Sequence, residues 1–164
     1  MTLNGKSDLY LDITEKRHVR RGLVNRSVLD IPGDIASSRT ENQDNDGLWT
    51  STYLAAECFH YAATEDPEAR ANAVRTFRAM EMLEKVTGIP GYPARSFAKS
   101  TDKVEQSRSP HPKKWRPSPD GEWQWLDDTS SDEITGHIFA FALFHDLVAD
   151  EAQKKDVAAL IRRI

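Results

Sequence analysis

The chain has 164 residues, a formal net charge of −4 at pH 7 and one cysteine, Cys58. The negative charge argues against binding of nucleic acid through phosphate contacts, and a lone thiol cannot form a disulfide within the chain. No stretch reaches the ~18 uncharged apolar residues that a membrane helix needs, and no signal-peptide core is visible. The sequence therefore predicts a soluble single domain that binds neither nucleic acid nor membrane, in an unknown compartment.

Residues 1–47 predict a leading helix followed by a loop. Residues 7–21 are rich in charged side chains and favour a helix, although their apolar residues follow no single period. The next stretch, GLVNRSVLDIPGDIASSRT, is rich in turn-forming residues. It predicts a loop with one short extended piece.

Residues 48–87 and 130–164 each predict a helical hairpin. In both, the first helix is apolar nearly all round, which is typical of an inner helix buried on all sides. The second helix is amphipathic and predicts a half-exposed outer helix, with Pro67 in the first turn of the earlier one. The two hairpins begin alike, which indicates a helical repeat.

Residues 88–129, between the hairpins, predict a long loop with one short β-hairpin. Asp120 and Gly121 favour a turn that leads into a strand. Trp123 and Trp125 would share one face of that strand, because side chains alternate along it. The sequence thus predicts an all-α fold of helical hairpins, interrupted by this loop.

The acidic stretch ENQDNDG before the first inner helix has three interpretations. The first is a calcium loop, because four residues match the early EF-hand positions: Asn42, Asp44, Asp46 and Gly47. Tyr53 occupies the place of the required bidentate glutamate, which disfavours this reading. The second is helix capping by Asp44 or Asp46, which needs only one carboxylate. The third is one rim of an active-site cleft.

The second inner helix also opens with more carboxylates than capping needs. If both inner helices point the same way, the two acidic clusters meet around a common mouth. Two carboxyl groups across a cleft are the minimum for glycosidic hydrolysis, one as acid and one as base or nucleophile. The candidate catalytic residues are Asp44, Asp46, Asp128, Asp132 and His137, the histidine assisting a carboxylate.

Other side chains are candidates for substrate binding. Tryptophan faces can stack on sugar rings, although packing on the core is the competing interpretation. An arginine could contact an anion, and a surface salt bridge is its alternative. These candidates are Trp49, Trp123, Trp125 and Arg95.

The remaining histidines indicate no metal. His60 and His145 lie within apolar runs and are predicted to be core residues. No His/Cys spacing resembles a zinc site, and no glycine-rich phosphate loop is present. We therefore expect neither a metal nor a cofactor.

Three phrases carry a resemblance to a family: DNDGLWTSTYLAAECFHYA, TGIPGYPARSF and DDTSSDEITGHIFAFALFHDLVADE. They resemble bacterial proteins that carry an (α/α) toroid of the six-hairpin glycosidase-like superfamily after a β-propeller or sensor-like segment. The resemblance spans residues 21–164. It implies acidic residues at the inner-helix mouth of a toroid, where Asp44, Asp46, Asp128 and Asp132 match in pattern.

The resemblance implies a carbohydrate-processing function on an oligo- or polysaccharide. Glycoside hydrolysis by paired carboxylates is the leading expectation. A polysaccharide lyase is an alternative, with Arg95 neutralising a uronate and His137 or a tyrosine as base. Another is a non-catalytic carbohydrate-binding or scaffold domain. Because a closed toroid needs a longer chain, we expect a fragment whose apolar edge is covered by missing sequence or by a second copy.

Overall fold

The computed structural model describes residues 1–104 and 114–164. The helices in this part are α1 (Leu3–Arg17), α2 (Asp46–Thr64), α3 (Pro67–Lys85), α4 (Ser131–Leu147) and α5 (Glu151–Arg163). The strands are β1 (Val19–Arg20), β2 (Leu23–Val24), β3 (Arg26–Leu29), β4 (Ser38–Glu41), β5 (Ser96–Lys99), β6 (Trp115–Pro117) and β7 (Trp123–Leu126). None of these helices is long and apolar enough to cross a membrane.

The all-α prediction is wrong, because the helices are accompanied by antiparallel sheets. β1 pairs with β2, β3 pairs with β4, and β7 lies between β5 and β6 in a three-stranded sheet. The fold is therefore mixed, although helices dominate it. The predicted loop 88–129 contributes this third sheet, and its residues 105–113 lie outside the described part.

The stretch predicted as a loop after α1 forms most of the first two sheets. Arg21 and Gly22 connect β1 to β2 with positive φ angles of 54° and 80°. Two consecutive positive φ angles are typical of the type I′ turn, which joins antiparallel strands tightly. An arginine is an unusual first residue of such a turn, so the sequence carried a weak signal for this hairpin.

The four helices of the two predicted hairpins are present, and their junctions have clear local causes. Glu65 ends α2 in the left-handed conformation, and the Asp66 carboxylate accepts a hydrogen bond from the Glu68 amide at 2.9 Å. Pro67 fits the first turn of α3, where its missing N–H leaves no bond unmade. Asp150 and Gln153 form a capping box that begins α5.

The main core lies where the amphipathic faces of α3 and α5 meet α2 and α4. The Phe77 ring stacks on Phe144 at 4.5 Å between centroids and meets the edge of Phe141 at 5.6 Å. Cys58 is fully buried here, as a small apolar residue would be. Burial of these faces supplies most of the drive for helix packing.

A second apolar cluster joins α3 to the three-stranded sheet. Leu83 of α3 packs with Phe97 of β5 and Trp125 of β7, and Trp123 packs against the same cluster. The two tryptophans therefore share one face of β7, as predicted. The sheet is thereby fixed against the end of α3.

The prediction that both inner helices are buried on all sides is wrong. Trp49 and Phe59 of α2 are 46% and 52% exposed, and Phe139 of α4 is 51% exposed. Both inner helices therefore keep part of their apolar surface exposed. His60 and His145 are also partly exposed, so the prediction that they are core residues is wrong.

Candidate functional site

The first turns of α2 and α4 lie against each other, so their acidic starts meet. Two glycines allow this close approach. A Cβ added to Gly47 would lie 2.3 Å from Glu133 Oε2, and one added to Gly136 would lie 2.5 Å from Ser51 Oγ. A larger side chain at either position would force Glu133 or Ser51, both fully buried, to move.

Asp46 is fully buried at the start of α2. Its Oδ2 accepts hydrogen bonds from Asn25 Nδ2 at 2.6 Å, from the Gln43 amide at 3.1 Å and from the Ser96 hydroxyl. Its Oδ1 has no hydrogen-bond partner in the described residues. Burial raises the pKa of Asp46 to about 7 despite these bonds, and the nearby charge of Glu133 raises it further.

Glu133 is fully buried in the first turn of α4, on the side that faces α2. Within residues 1–104 and 114–164 neither carboxylate oxygen has a hydrogen-bond partner, and Arg95 Nη1 is 4.0 Å from Oε1. Burial raises the pKa of Glu133 to about 7, while the Leu48 amide and Arg95 oppose the shift. Because Asp46 and Glu133 also repel each other when charged, the pair retains a proton near neutral pH.

His137 lies one turn after Glu133 and is also fully buried. Its Nδ1 is 2.8 Å from the Glu133 backbone oxygen, which can only accept, so Nδ1 carries the proton. Burial lowers the pKa of His137 to about 4, and the ring is therefore neutral at pH 7. Its Nε2 has no partner in the described part of the chain, which leaves a free acceptor beside the two carboxyl groups.

Arg95 connects the loop that precedes α2 to the loop that precedes α4. Its Nη1 donates to the Asp44 backbone oxygen at 2.6 Å, and its Nε donates to the Asp128 backbone oxygen. Its own backbone oxygen accepts from the Gly47 amide at 3.1 Å. The guanidinium is buried and binds mainly carbonyl groups, so its position is neither that of a surface salt bridge nor that of an open anion site.

The two candidate carboxylates near the start of α4 are exposed: Asp128 precedes the helix, and Asp132 lies in its first turn. Asp128 is exposed and has a positive φ of 66°, a strained conformation for a residue other than glycine. The Tyr92 hydroxyl accepts a hydrogen bond from its amide at 3.1 Å. Asp132 is exposed, and a hydrogen bond from the Ser130 hydroxyl lowers the pKa of its carboxyl. Asp44 is half-buried beside them.

A groove of about 410 Å³ opens between α2 and α4 at this end of the helices. Its lining combines hydroxyl groups, one carboxylate and two large apolar side chains. The lining residues are Leu48, Ser51, Thr52, Ser131, Asp132, Thr135, Gly136 and Phe139. We call this cavity the α2–α4 groove.

Three hydroxyls of the α2–α4 groove are oriented by their own helices. Ser51, Thr52 and Thr135 each donate to a backbone oxygen three or four residues earlier, at 2.7 Å. Their hydroxyl protons are therefore engaged. Ser51 is fully buried, whereas Thr52 and Thr135 are exposed, so the oxygen lone pairs of the two threonines remain to accept hydrogen bonds from a ligand. The groove is built to accept hydrogen bonds from ligand hydroxyl or amide groups.

The tryptophans do not line the α2–α4 groove. Trp49 lies in a neighbouring groove of about 570 Å³ between α1 and α2, and Thr52 borders both cavities. Trp125 is buried, with its indole N–H donating to the Pro117 oxygen at 3.2 Å, and Trp123 packs edge-on against Phe97. Of the three candidates, only Trp49 is placed beside the groove.

The geometry supports neither capping of α2 by Asp46 nor a calcium loop in ENQDNDG. The N-cap of α2 is Asn45, whose side chain makes no capping bond, and Asp46 binds the Gln43 amide that precedes the helix. Asn42 donates its amide to Ser96 Oγ at 2.8 Å instead of facing a common centre. No group of three or more His, Cys, Asp or Glu side chains in the described residues could hold a metal ion.

The candidate set from the sequence lacked Glu133, Asn25 and Ser96. Glu133 carried a signal, because residues four apart share one face of a helix and His137 was already a candidate. Asn25 and Ser96 reach Asp46 from 21 and 50 residues away and carried none.

Comparisons of the chain with models of known protein families, with curated proteins and with solved structures found no match. The function is therefore inferred from the chemistry of these side chains.

Proposed function

We propose that the chain binds carbohydrate in the α2–α4 groove. The observation that carries the proposal is the combination of oriented hydroxyls, the Asp132 carboxylate and the exposed Phe139 ring in one cavity. Sugar hydroxyls need acceptors of this kind, and the C–H faces of a sugar ring need an apolar surface. The volume of about 410 Å³ lies within the range of about 300–1,000 Å³ that small ligands occupy.

The charge of the groove favours a neutral sugar. Among the described lining residues, Asp132 is the charged one, and they include no lysine or arginine. A uronic acid would bring its carboxylate towards Asp132 without a compensating cation. Arg95, the cation expected for a lyase, already donates to the backbone oxygens of Asp44 and Asp128. A lyase is therefore less supported than binding of a neutral sugar.

Hydrolysis of a glycosidic bond is the second candidate function, and the pKa values of two adjacent carboxyl groups favour it. The pKa of Asp132 is lowered, so this residue is ionised and suited to act as base. The pKa of Glu133 is raised to about 7, so this residue is suited to act as acid. Because Glu133 is fully buried, a substrate oxygen reaches it only if the first turns of α2 and α4 separate.

Isothermal titration calorimetry with neutral di- and trisaccharides tests the binding proposal. We expect saturable binding by the wild type and a loss of about tenfold or more in affinity for Asp132→Asn and for Thr135→Val. Asp146→Asn is the matched control, because it removes an exposed carboxylate at the opposite end of α4. Equal affinities for Asp132→Asn and Asp146→Asn, or no binding of any neutral sugar, would overturn the proposal.

Release of reducing ends from the sugars that bind tests the hydrolytic role. If Glu133 is the acid, Glu133→Gln should abolish turnover while the affinity measured by calorimetry stays within about twofold. Binding without turnover by the wild type would leave the binding function standing and exclude hydrolysis by this chain.

A further inference from the structure

A second pocket lies on another side of the molecule, between α1, the later part of α2 and the start of α3. Its volume is about 260 Å³, and it shares no residue with the α2–α4 groove. Ten described residues line it, of which six are acidic and none is a lysine or an arginine. The lining is Asp8, Leu11, Asp12, Glu15, Glu57, His60, Asp66, Glu68, Ala69 and Asn72.

Glu57 is the buried carboxylate of this acidic pocket, with only 1% of the residue exposed. Its Oε1 accepts a hydrogen bond from Asn72 Nδ2 at 3.3 Å and lies 2.7 Å from the Tyr53 hydroxyl, whose single proton is shared with Glu15. Its Oε2 has no hydrogen-bond partner in the described residues. A buried carboxylate oxygen without a donor is costly, so a ligand that supplies N–H groups would be stabilised here.

His60 lies beside Glu57 but forms no hydrogen bond with its carboxylate. Its Nδ1 is 3.6 Å from Glu57 Oε2, and its Nε2 is 3.9 Å from Asp66 Oδ2. Both distances exceed that of a hydrogen bond, and Nδ1 has no other partner in the part that the structure describes. The imidazole therefore lies between two carboxylates without a hydrogen bond to either.

The outer carboxylates are only partly neutralised by cations from outside the pocket. Lys16 lies 2.7 Å from Asp12, and Arg75 lies 2.6 Å from Glu15. Neither Asp8 nor Glu68 has an ion pair in the described residues. The pocket thus concentrates negative charge, with Glu57 at its buried end, and attracts small cations.

We propose that this pocket binds a small alkylammonium ion, with a diamine as the best ligand. Because Glu57 is buried, one ammonium group would reach its Oε2 only when the neighbouring His60 side chain moves aside. The second ammonium group would meet the exposed carboxylates Asp8 and Glu68. The volume of about 260 Å³ is below the usual range for drug-sized ligands and suits a short aliphatic chain. An organic cation fits better than a metal, since no described group of acidic or histidine side chains could hold a metal ion.

Calorimetric titration of the full chain with 1,4-diaminobutane, butylamine and 1-butanol at matched ionic strength tests this proposal. We expect 1,4-diaminobutane to bind most tightly, butylamine more weakly, and neutral 1-butanol without measurable heat. Glu57→Gln should weaken diamine binding by about tenfold or more. The control is Glu151→Gln, which removes an exposed carboxylate outside the pocket and should change the affinity by less than about twofold.

A double variant keeps the proposal testable if circular dichroism shows that Glu57→Gln does not fold. Asp8→Asn combined with Glu68→Gln changes only exposed residues. It should remove the preference for the diamine over butylamine. The proposal is overturned if the three compounds bind alike, if Glu57→Gln and Glu151→Gln lower the affinity equally, or if the double variant keeps the diamine preference.

Discussion

Replacing Glu133 by glutamine should stabilise the protein at pH 8 and leave its stability nearly unchanged at pH 4.5. Burial raises the pKa of Glu133 from its ordinary value of 4.5 to about 7, so the folded state holds this proton more tightly than the unfolded chain does. That contribution to stability is fully present below pH 4.5 and is lost as the pH rises through about 7. Glutamine does not ionise, so the variant escapes the loss.

The expected size of the effect follows from the shift. A rise of the pKa from 4.5 to about 7, at about 1.4 kcal/mol per unit, corresponds to about 3–4 kcal/mol, of which a small part is already lost at pH 4.5. The gain of the variant over the wild type should therefore grow by about 3 kcal/mol between pH 4.5 and pH 8. Removing the charge of Glu133 also relieves Asp46, whose own pKa it raises, and this adds in the same direction.

His137 makes the comparison with the wild type at each pH necessary. Burial lowers its pKa from 6.5 to about 4, so the folded state loses stability as the pH falls through this window. This effect opposes that of Glu133 in the wild-type curve, and it cancels in the difference between the two proteins. The absolute pH profile of either protein alone would therefore hide the effect.

Urea unfolding followed by tryptophan fluorescence at pH 4.5, 6, 7 and 8 measures the difference in free energy of unfolding. Glu151→Gln is the control, because the Glu151 side chain is 86% exposed and its difference from the wild type should not vary with pH. A difference for Glu133→Gln that is equally flat would refute the assignment of Glu133 as a buried carboxyl with a raised pKa.

Two further substitutions test how the helix starts are held. Gly47→Ala should lower the free energy of unfolding by about 1–3 kcal/mol, since the added Cβ would lie 2.3 Å from Glu133 Oε2; wild-type stability in urea would show that the helices are not so close. Arg95→Met should lower it by about 1–3 kcal/mol, because two backbone oxygens lose their donor. Arg70→Met, at an exposed ion pair with Asp150, should cost less than about 1 kcal/mol, and equal losses for the two arginines would argue against the buried role of Arg95.

The amino-acid sequence was sufficient to predict the helices of the two hairpins. The apolar stripe of α3, formed by Ala73, Phe77, Met80 and Leu83, is fully buried as its period predicts. Pro67 also falls in the first turn of α3 as predicted. Such features depend on neighbours along the chain, and a sequence displays them directly.

The strands were harder to predict because each of the seven strands in the described residues has only two to four residues. An alternating pattern needs a longer run before it can be distinguished from a loop. β5 and β7 pair although the segment that contains residues 105–113 separates them along the chain. No short turn sequence between them therefore predicts this pairing. The all-α prediction failed for this reason.

The tertiary structure decided which carboxyl groups at the starts of α2 and α4 are buried together. Asp132 and Glu133 are adjacent in the chain, yet Asp132 is exposed and Glu133 is fully buried. The sequence showed an excess of carboxylates at both helix starts and a histidine four residues after Glu133. It did not show which carboxylate faces the other helix, because that depends on the close approach at Gly47 and Gly136. Burial is a property of what packs against a residue, so only the packed molecule decides which of these groups has a raised pKa.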